Sequence, residues 1–143
     1  MTSQTWRTSA WTHVVQIVRP NQIRHPEIAF LFVTGDGANK AYLPMLAKIS
    51  TEAGALAAFV TRVPNQPLYG GKKEDALIAY TFAQYLKTGD ETWPALLPMV
   101  KSAVRAMDTV QAYAQKEHQQ NIEKFGVSGA SKRGWTAGLT GAT

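Results

Sequence analysis

Residues 125–138 read FGVSGASKRGWTAG: a short apolar run, a serine among small residues, then a helix-compatible stretch. The order Gly129-Ala130-Ser131-Lys132-Arg133-Gly134 puts Ser131 on a strand-to-helix turn. A nucleophile elbow needs such a turn, because a serine hydroxyl stands clear of the backbone only where the chain reverses sharply. Small neighbours then let the strand and helix approach closely. The spacing is G-x-S-x-x-G, one residue longer than G-x-S-x-G, and Arg133 occupies the usual place of the second glycine. Two other readings fit the same residues. Ser131 is then an ordinary helix N-cap, or the turn presents free N–H groups to a phosphate or similar anion.

A second stretch bears on the choice. Acyl transfer places two N–H donors around the oxyanion, one just after the serine and one in a loop following an earlier strand. The Lys132 N–H suits the first place. The loop TGDGAN, residues 34–39, closes the run EIAFLFV and offers Gly35, Asp36 or Gly37 for the second. A simple turn explains that loop equally well, but the two stretches occur in the chain order that an elbow requires.

Outward from these stretches the chain alternates strands and helices. HVVQIVRP, 13–20, is β-branched and closed by Pro20, and EIAFLFV is apolar throughout, as a strand covered on both faces would be. A helix is expected over 42–54, stopping at Gly54, then a buried strand from Ala55 that breaks into VPNQPLYGG. Residues 73–89 form a second helix, with Glu74 and Asp75 complementing the dipole of its first turn and Gly89 ending it. Leu77, Ile78, Phe82, Tyr85 and Leu86 make its apolar face. A third helix over 95–117 carries the stripe Leu96, Val100, Ala103, Met107, Val110 and Ala114. The strand 122–129 leads into the serine turn, and a last helix begins near Lys132 and is barely started when the sequence stops. This order predicts an α/β fold with a mostly parallel sheet and helices on both faces.

Composition narrows the function classes. A chain of 143 residues, 45% hydrophobic with four tryptophans, makes one domain that buries roughly two-thirds of its unfolded surface. The net charge of +5 is spread from Arg7 to Arg133 among ten acids, with Lys72-Lys73 and Lys132-Arg133 as the adjacent basic pairs. A nucleic-acid partner is therefore not expected, since such surfaces cluster basic and aromatic residues on one face. No apolar run reaches the length of a membrane span, and no signal peptide is visible in the first fifteen residues. Without cysteine there is no thiolate chemistry, and no cofactor or metal site is expected. His13, His25 and His118 all precede Ser131 and read as non-catalytic, His118 as solvated surface. Asp108 reads as a surface partner of Arg105 or Lys101. VPNQPLYGG is either a pocket mouth or a rigid structural loop.

The words TRVPNQPLYGG, EDALIAYTF, WPALLPMVKSAVRAMDTVQ and GASKRGWT resemble the PhoPQ-activated pathogenicity-related protein family, from about Trp6 to the last residues. The resemblance implies an α/β-hydrolase-like scaffold, of which 1–143 is the N-terminal part of a single domain ending just after the elbow. It implies Ser131 as nucleophile, with Arg133 in the glycine slot as a family trait. The elbow is also similar to the G-C-S-R-x-G word of glucuronoyl esterases, whose basic position is held here by Lys132. Members are several hundred residues long, so the triad acid and histidine, and a C-terminal half, are expected beyond Thr143. The chain alone is then expected to be inactive. The substrate class is a small acyl compound of unknown identity, and the location is periplasmic or secreted. The alternative is a non-catalytic secreted binding or signalling protein on the same scaffold.

Overall fold

A computed structural model describes residues 1–35 and 42–143. The first elements are a hairpin, β1 (Thr2–Trp6) and β2 (Ser9–Thr12), paired antiparallel with Trp6 opposite Ser9. Arg7 turns this hairpin with φ 55. Its inner side chains, Trp6 and Trp11, join the main core, meeting edge to face at 5.5 Å. The hairpin lacks the Asn-Gly or Asp-Gly turn that announces such an element, and the sequence reading did not find it.

The main sheet has four strands: β3 (Val15–Val18), β4 (Ile28–Val33), β5 (Leu56–Val60) and β6 (Lys124–Gly129), in the spatial order β3-β5-β4-β6. The helices are α1 (Tyr42–Ala53), α2 (Glu74–Thr88), α3 (Leu96–His118) and α4 (Lys132–Thr140). Strand β4 runs parallel to both β5 and β6, whereas β3 is antiparallel to β5. The sheet is thus mixed: two of its three pairings are parallel, in keeping with a mostly parallel sheet, and the edge strand β3 is antiparallel. Parallel neighbours need a helix-length crossover, and 19–27 between β3 and β4 holds no helix, so the chain returns in the opposite sense.

Successive residues of β4 face opposite sides, and a helix covers each. Phe30 and Phe32 pack with Ala57 and Phe59 against Leu46 of α1. Ala29, Leu31 and Val33 pack with Ala58 and Val60 against Met99, Ala103, Ala106 and Val110 of α3. Helices therefore lie on both faces, as expected. The α3 stripe is centred on these residues and Ala114, and Met107 is half-buried at its margin. Leu86, assigned from its spacing to the apolar face of α2, is 82% exposed. Leu77 and Ile78 of the same expected face are buried, with Thr81 beside them. Asp108 accepts from Arg105 Nη1 at 2.9 Å on the surface of α3, as the spacing predicts. Helix α4 begins at Lys132 as expected but runs nine residues, packed on β6 and α3.

Candidate functional site

Strand β6 ends at Gly129 and α4 begins at Lys132, so Ala130 and Ser131 alone make the turn. Ser131 has φ 54 and ψ −124, a region that residues with a side chain rarely occupy. Two close approaches enforce this. A Cβ on Gly134 would sit 2.9 Å from the Gly129 carbonyl oxygen, and a Cβ on Gly129 would collide with the Arg133 backbone. The second glycine comes one position late because Gly134, not residue 133, crosses the strand end. Position 133 is thereby free for a long side chain.

Ser131 stands at the N-cap position yet makes no side-chain capping hydrogen bond. Its residue is exposed, and its own carbonyl accepts from Trp135 N at 3.0 Å. The capping explanation of this serine therefore fails, and the hydroxyl is left available. Arg133 N is taken by the Ala130 carbonyl at 3.0 Å. Lys132 N, first of the helical amides, has no backbone partner among the described residues.

The second stretch lies alongside. Val33 of β4 is the register partner of Gly129 of β6, so the residues after both strands meet at the same sheet edge. Gly35 gives its carbonyl to Arg62 N at 2.7 Å, while its N–H has no backbone partner among the described residues. Asp36 and Gly37, the other members of the expected donor loop, lie outside the described residues. A pocket of about 370 Å³ opens between β4, β6 and α1, lined by Phe32, Leu46, Phe59, Gly35, Ala130 and Arg133 among others. Ser131 and Lys132 border a separate hollow with Phe82 and Trp135, whose rings stack at 6.2 Å.

A polar clamp that sequence reading missed secures the turn. Glu74, the first residue of α2, accepts from Lys132 Nζ at 2.8 Å and from Arg133 Nη2 at 2.6 Å. Gln66 Nε2 donates to the same carboxylate at 2.7 Å, and Gln66 Oε1 accepts from Glu74 N at 2.7 Å. Arg133 Nε also donates to the Val63 carbonyl at 2.7 Å. The hydrogen bond from Arg133, with those from Lys132 and Gln66, pulls the Glu74 carboxyl down to about 2 against the cost of burial. Glu74 in turn raises the Lys132 ammonium above its ordinary value, with Asp75 adding at 3.0 Å. The Lys132 side chain is thus committed to carboxylates of α2. VPNQPLYGG lines neither cavity; it is fastened to the serine turn through Val63 and Gln66.

None of the three histidines reaches Ser131. His25 precedes β4 and His118 ends α3 just before β6, so both lie at the opposite sheet edge, roughly 20 Å away by strand length. His13 sits at the same edge as Ser131, but just before β3, three strands across. It is also buried rather than solvated: Nδ1 meets the Thr61 carbonyl at 3.0 Å and Nε2 meets Ser3 Oγ at 2.9 Å. Among the described residues no cluster of three or more His, Asp or Glu could hold a metal.

The comparisons with known proteins agree with the site's sequence words. The model of the PhoPQ-activated pathogenicity-related protein family matches residues 1–143. This chain belongs to that family. It is 34% identical over 157 aligned positions to the autocrine proliferation repressor protein A of Dictyostelium discoideum, covering 99% of this chain. The chain spans about a third of that relative's length, 31%. No solved structure matches. No described helix of this family member is long and apolar enough to cross a membrane.

Proposed function

We propose that this chain carries the nucleophile of a serine hydrolase on an α/β-hydrolase scaffold. The observation that carries the reading is Ser131 itself, held at φ 54 and ψ −124 with its hydroxyl unused by the helix it precedes. A strained serine at a strand-to-helix turn is what an elbow requires. Ser131 Oγ attacks an ester or amide carbonyl, its proton passes to a base, and the alcohol or amine leaves an acyl-serine that water then cleaves. The oxyanion is received by the Lys132 N–H and by an N–H of the 35–37 loop, with Gly35 the described member. The base and its orienting acid come from outside this chain, because His13, His25 and His118 are placed elsewhere. The whole protein acts after export, in the periplasm or outside the cell.

A second reading rests on a different observation. The relative called an autocrine proliferation repressor is, by its name, a signalling protein. On that reading the elbow is retained scaffold and the protein acts by binding. Hydrolysis of an activated aryl ester by the full-length protein separates the two. The catalytic reading expects turnover that Ser131→Ala abolishes; equal rates for both proteins would support the binding reading.

A further inference from the structure

We propose that the pocket between β4, β6 and α1 binds a small apolar carboxylate, with its ring or chain against Phe32, Leu46 and Phe59 and its carboxylate on Arg133. At about 370 Å³ it falls at the small end of the ~300–1,000 Å³ range of ligand sites. Its described walls are apolar apart from backbone, Thr34, Ser128, the Tyr42 hydroxyl and one charged side chain, Arg133. That guanidinium is held in a fixed orientation: Nε donates to Val63 O and Nη2 to Glu74, while Nη1 has no partner among the described residues. Its side chain is only 13% exposed, so solvent satisfies it poorly. A planar, preorganised guanidinium with open donors matches a carboxylate better than a neutral group.

Gly35 keeps that approach open. A Cβ there would lie 2.5 Å from Arg133 Nη2 and 3.4 Å from Nη1, displacing the guanidinium from the wall. Glu74 does not cancel the charge on the pocket side, because it is shared with Lys132 and Gln66. Asp75, the other carboxylate of the clamp, is 87% exposed and pairs with Lys132. The binding stands apart from Ser131's chemistry.

The test uses the full-length protein with phenylacetate as probe and phenylacetamide as its neutral counterpart, titrated by calorimetry. Phenylacetate should bind saturably and at least tenfold more tightly than the amide, and Arg133→Gln should weaken it at least tenfold. Arg133 also fastens the elbow, so Met45→Trp provides an independent arm. Met45 lines the pocket, is 44% exposed, and its replacement fills the cavity without touching the Arg133 bonds. That variant, folded by circular dichroism, should lose phenylacetate binding, whereas Ser131→Ala should keep it even if all esterase activity is gone. Equal affinity for acid and amide, no binding by the folded wild type, or unchanged binding in Met45→Trp would overturn the proposal.

Discussion

Two serines in this molecule invite opposite conclusions. Ser3 lies 2.9 Å from a histidine that a backbone carbonyl orients, which on a distance criterion looks like a catalytic pair. Ser131 has no histidine near it. Yet Ser3 and His13 are 6% and 4% exposed, and Ser3 also meets Ser102 of α3 at 3.2 Å. His13 Nδ1 donates to the Thr61 carbonyl, and burial lowers the ring's pKa and so favours the neutral form, in which Nε2 accepts from the Ser3 hydroxyl. The Ser3, His13 and Ser102 side chains are spent on joining the hairpin to Thr61 and to α3. At Ser131 backbone strain is maintained, the side chain makes no capping bond, and the adjacent Lys132 amide has no backbone partner among the described residues. Strain with an uncommitted side chain, not a short serine–histidine distance, therefore carries the proposal for Ser131.

The strongest way to break this contrast is to remove the imidazole. His13→Ala strands the buried Ser3 hydroxyl and Thr61 carbonyl and opens a cavity, so it should destabilise by about 2–4 kcal/mol. Thermal melts read this directly. Modification of Ser131 in the protein that remains folded should be unchanged. An unaltered melting temperature combined with a loss of Ser131 reactivity would make His13 a base and the contrast false.

Acid sharpens the comparison, because the two clusters fail in different pH windows. Burial lowers the His13 pKa from its ordinary 6.5, with the bond to Thr61 opposing. The unfolded chain therefore takes up the proton first. Stability falls as pH drops below 6.5, with a slope of at most about 1.4 kcal/mol per pH unit. Glu74 is depressed from 4.5 to about 2, so its contribution is complete above 4.5 and is lost as pH falls towards 2. Since Glu74 is 41% exposed, solvent screening makes that contribution modest. Denaturant titrations across pH should lose the upper slope in His13→Gln and the lower one in Glu74→Gln. A single shared transition in both variants would mean that the clusters are coupled.

The smallest effect is the most specific. Ser131→Gly should stabilise the protein by about 1 kcal/mol, because glycine occupies positive φ without the Cβ penalty. The same change removes the proposed nucleophile, so on the catalytic reading stability and activity move in opposite directions. Denaturant midpoints check it; destabilisation would show that Ser131 is not strained.

Much of this was legible because the relevant forces are local. Apolar runs fixed β4, β5 and β6, the α3 stripe followed helical spacing, and the glycines around Ser131 announced the turn. Leu86 misled because spacing names a helix face without saying how far the sheet extends beneath it. The hairpin was hidden because its inward positions mix Trp6 and Trp11 with Ser3 and His13, whose burial depends on partners far along the chain. The Glu74 clamp was hidden for the same reason. Its carboxylate serves the dipole of its own helix, as read, while its two strongest partners follow 58 and 59 residues later.

The central claim, that Ser131 is a nucleophile held ready by its turn, is tested most directly by covalent capture. The full-length protein is treated with a fluorophosphonate at neutral pH, and the modified peptide is mapped by mass spectrometry. One phosphonyl group per chain is predicted on Ser131, absent from Ser131→Ala and retained in His13→Gln. A folded protein that remains unmodified, or one labelled at Ser3 instead, would contradict it.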